Sequence, residues 1–148
     1  MKKNRRCFSN TYVMKKALFL LLTTVIFASC EQPEPLYYKS IHYFDIKKSD
    51  WILSIDENKL NNYYYCSFNF PKLTENVFDG GSVSAYLDDS FYQQVLPIVR
   101  HHEDREGFQW TTTTDFDFEI GKIKFYVTNS DFVNERPEAM TFRVVLMW

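Results

Sequence analysis

Along residues 108–120 the chain alternates without a break. Phe108, Trp110, Thr112, Thr114, Phe116, Phe118 and Ile120 occupy one parity, and Gln109, Thr111, Thr113, Asp115, Asp117 and Glu119 the other. Successive side chains of a strand point to opposite faces, whereas a helix repeats about every 3.6 residues. The pattern therefore predicts a strand with one core face and one wet face. The same period of two dominates from Tyr37 onward. It predicts strands over 38–46, 51–55, 62–70, 82–87, 91–99, 108–120, 122–128 and 140–148. Turn formers separate them at Asp56-Glu57-Asn58, Asp79-Gly80-Gly81, Asp88-Asp89-Ser90 and Asn129-Ser130-Asp131. The single helical cue is Thr74-Glu75-Asn76-Val77-Phe78, where Thr74 caps one turn and Gly80 closes it. An aromatic content of 18% with only 4 Gly and 5 Pro excludes disordered and collagen-like chains. The expected fold is all-β, a two-sheet β-sandwich of about seven to eight strands with one short helical turn. A small β-barrel is the alternative. The final strand, 140–148, is apolar on both faces and belongs at the centre of a sheet or under a partner.

A tight turn at Ile120-Gly121 pairs Glu119 with Lys122, Asp117 with Lys124 and Asp115 with Tyr126. On the other face it pairs Phe118 with Ile123 and Phe116 with Phe125, so one register satisfies both faces. Ile120 at the first turn position argues against a type I′ turn. Asp115, Asp117 and Glu119 then share one face, successive ones roughly 7 Å apart. Inverting glycosidases hold their two acids about 6.5–9.5 Å apart, so the spacing invites that reading. Lysines opposite two of the three point instead to cross-strand ion pairs, which keep carboxyls ionised rather than raising their pKa. The expectation is surface pairing, with neither catalysis nor calcium binding.

The first thirty residues read differently. Lys2, Lys3, Arg5, Arg6, Lys15 and Lys16 precede an apolar run at 17–28, and no acidic residue comes before Glu31. Those 12 apolar residues fall short of the roughly 20 that span hydrocarbon as a helix. Basic head, short apolar run and small residues before a break form a secretory signal. The break, Phe27-Ala28-Ser29-Cys30, resembles the lipobox of bacterial lipoproteins, with Phe27 where Leu is more usual. That resemblance implies lipidation of Cys30 and a chain anchored to a membrane rather than spanning it. Met14-Lys15-Lys16 also looks like a lipoprotein start, so Met14 is an alternative initiator to Met1. Glu31-Gln32-Pro33-Glu34-Pro35 makes a stiff polar tether. It resembles the acidic export signal of Bacteroidetes lipoproteins, which implies a place on the outer membrane, facing outward. The expected organisation is a signal peptide over 1–29, lipidated Cys30 and tether over 30–36, and one β-sandwich domain over 37–148.

Beyond residue 29 the chain carries 11 of the 17 basic side chains against all 19 acidic ones. A net charge of −8 repels phosphate backbones and argues against nucleic acid as a partner. Cys7 leaves with the signal and Cys30 takes lipid, so Cys66 has no disulfide partner. It alternates in phase with Tyr64, Phe68 and Phe70 and is expected to be a small buried hydrophobe rather than a catalytic thiol. Arg100-His101-His102-Glu103-Asp104-Arg105-Glu106-Gly107 is expected to be a solvated loop. Adjacent His residues on regular structure rarely face one ion, the arginines oppose a cation, and no HxxxH or HExxH spacing is present. G-x-S-x-G, P-loop, G-x-G-x-x-G and Cys-x-x-Cys patterns are absent. No catalytic residue, metal or cofactor is expected, and the chain is not expected to be an enzyme.

What remains is a set of aromatics out of phase with the core. Tyr63 and Tyr65 alternate with Tyr64, Cys66 and Phe68; Tyr86 alternates with Val83, Ala85 and Leu87; Tyr126 falls on the charged face of its hairpin. Exposed rings on a sheet face stack on sugars or pack on a protein. Thr74-x-x-Val77-x-x-Gly80-x-x-Val83-x-x-Tyr86 with Phe142-Arg143-Val144-Val145 resembles small β-rich lipoproteins of Bacteroidetes, a likeness that carries no catalytic residue. The expected function is non-catalytic binding of a glycan or protein by a lipid-anchored cell-envelope module at the outer-membrane surface. A structural part in a periplasm-facing envelope complex is the alternative, and a cryptic hydrolase comes third.

Overall fold

A computed structural model describes residues 37–58 and 61–148. The expected signal peptide, the lipidated Cys30 and the tether lie outside the described residues. Two antiparallel sheets face one another. The four-stranded sheet runs in the order β1 (Lys39–Ile46), β9 (Met140–Met147), β4 (Ser82–Asp89), β5 (Tyr92–Val95). The five-stranded sheet runs in the order β2 (Ile52–Ile55), β3 (Asn62–Asn69), β8 (Lys122–Asn129), β7 (Gln109–Glu119), β6 (Ile98–Glu103). This is the two-sheet sandwich that the alternation predicts, and the sheets do not close into a barrel.

The ninth strand comes from Pro97. Alternation runs through residues 91–99 as if they were one strand, but proline has no N–H to give to a ladder. At Leu96-Pro97 the chain leaves the four-stranded sheet, where β5 pairs with β4, and enters the five-stranded sheet, where β6 pairs with β7. Leu96 is buried at the crossing, and its N–H donates to the Ala85 carbonyl at 2.9 Å. The β7–β8 hairpin has the expected register throughout, from Asp115 opposite Tyr126 to Glu119 opposite Lys122. Gly121 takes φ +79° while Ile120 does not turn positive, which excludes a type I′ turn.

The core lies between the sheets and combines aliphatic side chains with packed aromatic rings. Phe125 stacks on Phe142 with centroids 4.2 Å apart, and Trp51 meets Phe142 edge-on at 6.4 Å. Each such ring buried contributes roughly 1.5–3 kcal/mol, and a well-placed aromatic pair about 0.5–1.5 kcal/mol more. β9 lies between β1 and β4, which explains its apolar character on both faces: Phe142, Val144 and Leu146 point inward, and Val145 is buried on the outer side. Trp51 is fixed from outside the ladders. Its indole Nε1 donates to the Glu138 carbonyl at 3.1 Å, while the Glu138 carboxylate pairs with Lys48 of a 3-10 turn, Lys48–Asp50.

Three local expectations change. The even face of β7 is core only at Thr114, Phe116 and Phe118; Phe108 and Ile120 lie beyond the strand ends and are exposed. Helix α1 (Glu75–Gly80) follows Thr74 at the N-cap, but the Thr74 side chain makes no capping bond, and Gly81 rather than Gly80 closes it through an N–H to the Val77 carbonyl. Arg100 to Glu103 continue β6, so the solvated loop shrinks to a turn. Its Asp104 carboxylate accepts from the Glu106 and Phe108 N–H groups, each at 2.9 Å.

Candidate binding site

Cross-strand register brings the outward tyrosines together. On the outer face of the five-stranded sheet, Ile52 lies opposite Tyr65, Tyr65 opposite Tyr126, and Tyr126 opposite Asp115, a row across four strands. Tyr63, two residues before Tyr65, reaches diagonally to Tyr126: the rings are 5.8 Å apart and inclined at 60°. Tyr63 and Tyr65 stand 6.3 Å apart. Tyr86 does not belong to this group. It lies on the outer face of the other sheet, with the Arg143 guanidinium 5.3 Å from its ring centroid, a contact that holds the sheet face together.

Tyr63, Tyr126, Asp115, Asp117, Phe116 and Thr128 line a shallow hollow of about 300 Å³. Its polarity differs from the expectation of lysine-paired carboxylates. Only Glu119 forms its ion pair, with Lys122 at 3.0 Å, and that bond together with the Lys122 charge lowers the Glu119 pKa. Lys124 lies opposite Asp117 in the register yet makes no ion pair with it. Asp117 instead accepts a hydrogen bond of 2.6 Å from the Tyr126 hydroxyl. Burial and that bond push the Tyr126 phenol well above its usual range. Asp115 is half-buried and has no hydrogen bond or ion pair among the described residues. Burial first, and the Asp117 charge second, push its carboxyl above the ordinary value, the opposite of what neighbouring lysines would do.

The register alone places Asp115 beside Tyr126, so that part of the hollow is readable in the sequence. The neighbour missing from it is Tyr63, which depends on β3 pairing with β8. A larger hollow of about 420 Å³ opens where β6 ends and β7 begins, between His102, Trp110 and Ser130. The His102 and Trp110 rings there stack on each other at 5.1 Å and 14°, and His102 Nε2 is buried without a partner among the described residues. That imidazole is committed to stacking on Trp110, so the smaller hollow is the better candidate. His101 and His102 point to opposite faces of β6. No group of three or more His, Cys, Asp or Glu among the described residues could hold a metal ion. Cys66 is buried in the core, and burial, with the charge of Asp50, pushes its thiol up and away from the reactive thiolate. No known protein family, curated protein or solved structure matches this chain.

Proposed function

We propose that this chain is a non-catalytic glycan-binding module, carried on the outer membrane by a lipid on Cys30 after removal of residues 1–29. The observation that supports binding is the convergence of Tyr63, Tyr65 and Tyr126 with two carboxylates on one open sheet face. Aromatic rings offer apolar faces for sugar rings, and flanking Ser54, Ser67, Thr113 and Thr128 share the parity of this face and supply hydroxyls. The lipobox-like Phe27-Ala28-Ser29-Cys30 and the acidic tether support the anchor and its likeness to Bacteroidetes lipoproteins.

Binding fits the geometry better than hydrolysis. An inverting pair acts from opposite sides of the scissile bond, with the acid at the leaving oxygen and the base on a water beyond the ring. Asp115 and Asp117 leave one strand side by side in the same direction, and the Tyr126 hydroxyl already occupies Asp117. A second reading, a structural part in an envelope complex, draws on the other outer face, where Ile41, Tyr43, Val95 and Met147 are exposed.

The test is capture of the full chain, in detergent, on a panel of immobilised oligosaccharides. Wild type is expected to be retained, and Tyr126→Ala and Tyr63→Ala to lose about tenfold in affinity, in line with an aromatic contact of roughly 0.5–1.5 kcal/mol. Tyr86→Ala, on the opposite sheet, is expected to bind like wild type. Equal losses in all three variants, or no retention on any sugar, would overturn the reading.

A further inference from the structure

Polar groups around the hollow are unevenly divided between donors and acceptors. Ionised Asp115 and Asp117 are acceptors only. The Tyr126 proton is committed to Asp117, so toward a ligand its oxygen can only accept. That leaves the hydroxyls of Tyr63 and Thr128 as the side-chain donors of the lining. Asp115 has no partner among the described residues to satisfy its oxygens, and the nearest cation in the register, Lys124, forms no ion pair there. The rings of Tyr63 and Tyr126, which line the hollow, add two aromatic quadrupoles beside the carboxylates. Beyond residue 29 the chain is net −8, so its wider field has the same sign.

A neutral sugar presents donors and acceptors in similar number and leaves this imbalance in place. A carboxylated or sulfated sugar makes it worse. We propose that the hollow takes an unacetylated amino sugar, whose protonated amine sits against Asp115 and the Tyr126 oxygen and over the Tyr63 ring. This rests on the glycan-binding reading and narrows it to one substituent. An ammonium carries three donors and no acceptor, matches the lining in charge, and gains a cation–π contact beside the carboxylate. Acetylation would remove the charge and add a carbonyl acceptor facing two carboxylates.

Three β-1,4-linked tetrasaccharides, of glucosamine, N-acetylglucosamine and glucose, differ only in the substituent at carbon 2. Titration calorimetry of the full chain in detergent against each separates the amine from the ring. The glucosamine tetramer is expected to bind about tenfold or more tightly than the other two, within the range of a charge-assisted contact. That preference is expected to shrink in high salt and to vanish in Asp115→Asn. Equal affinity for all three sugars overturns the amine assignment and leaves the glycan reading standing. A glucosamine preference that survives in Asp115→Asn overturns its placement. Failure of all three to bind a chain that melts cooperatively overturns both the amine and the glycan reading.

Discussion

The Asp115 carboxyl holds its proton more tightly in the folded chain than in the unfolded one, because burial and the Asp117 charge both disfavour its ionised form. A raised carboxyl favours the fold only at low pH, below the unfolded value of about 3.9, and that contribution is lost as the pH rises through the folded value. At neutral pH the ionised group therefore works against folding. Asp115→Asn keeps the shape and removes the charge, and is expected to raise the melting temperature at pH 7. The difference should shrink toward zero near pH 3, where both chains are uncharged at this position. Thermal melts followed by circular dichroism at the two pH values check this; a lower melting temperature at pH 7 would mean that an attraction holds the carboxylate in place. A residue that costs stability while facing an open hollow is the pattern expected of a binding group, since its compensation arrives with the ligand. Glu119 is the contrast on the same strand face: Lys122 satisfies it internally, and it lies outside the hollow.

Gly81 shows the same kind of contrast at the scale of an element. A Cβ there would lie 2.7 Å from both the Met147 and the Val77 carbonyl oxygens, where helix α1 hands over to β4 against the end of β9. Its φ of −100° is open to any residue, so space and not backbone conformation requires glycine. Gly81→Ala is expected to cost about 1–3 kcal/mol, as overpacking against rigid backbone does. Gly80→Ala meets nothing within 4 Å and should be neutral or stabilising by roughly 0.5–1 kcal/mol. Urea unfolding of the pair reads both signs. The sequence carries the glycines but cannot say which of them has a carbonyl overhead. It does carry the β7–β8 register, because two polarity patterns and one Gly121 turn agree on a single alignment. The β5–β6 division was also legible in principle, since Pro97 stands inside an otherwise continuous alternation; the alternation masked it because both halves keep their phase while changing sheets. Tyr63 joining Tyr126 was not legible. It requires β3 to choose β8 as its neighbour across some sixty residues, and no local pattern encodes that choice.

At the scale of the whole molecule, the sandwich turns two outer faces to solvent, and they differ in chemistry. The five-stranded face carries the tyrosine and carboxylate hollow; the four-stranded face carries exposed Ile41, Tyr43 and Val95 around the Arg143–Tyr86 contact. In the proposed function, ligand capture by the first face requires no lipid, whereas holding the captured ligand at a cell requires one. Anchoring and binding are therefore expected to separate cleanly in a Cys30→Ala chain. Two or three acyl chains make a stable anchor where one is marginal, so under the proposed lipidation loss of Cys30 should move the protein out of the membrane fraction. Its melting temperature and its affinity for sugar should stay as they were, because Tyr37–Trp148 form a compact unit that does not include residue 30. Fractionation with immunodetection of residues 31–148 reads the first effect, and melts and titrations read the second. Protease added to intact cells then decides which way the anchored domain faces. Digestion on unbroken cells fits capture at the outer surface, and protection until the outer membrane is opened would sink that placement and move attention to the apolar four-stranded face and an envelope partner.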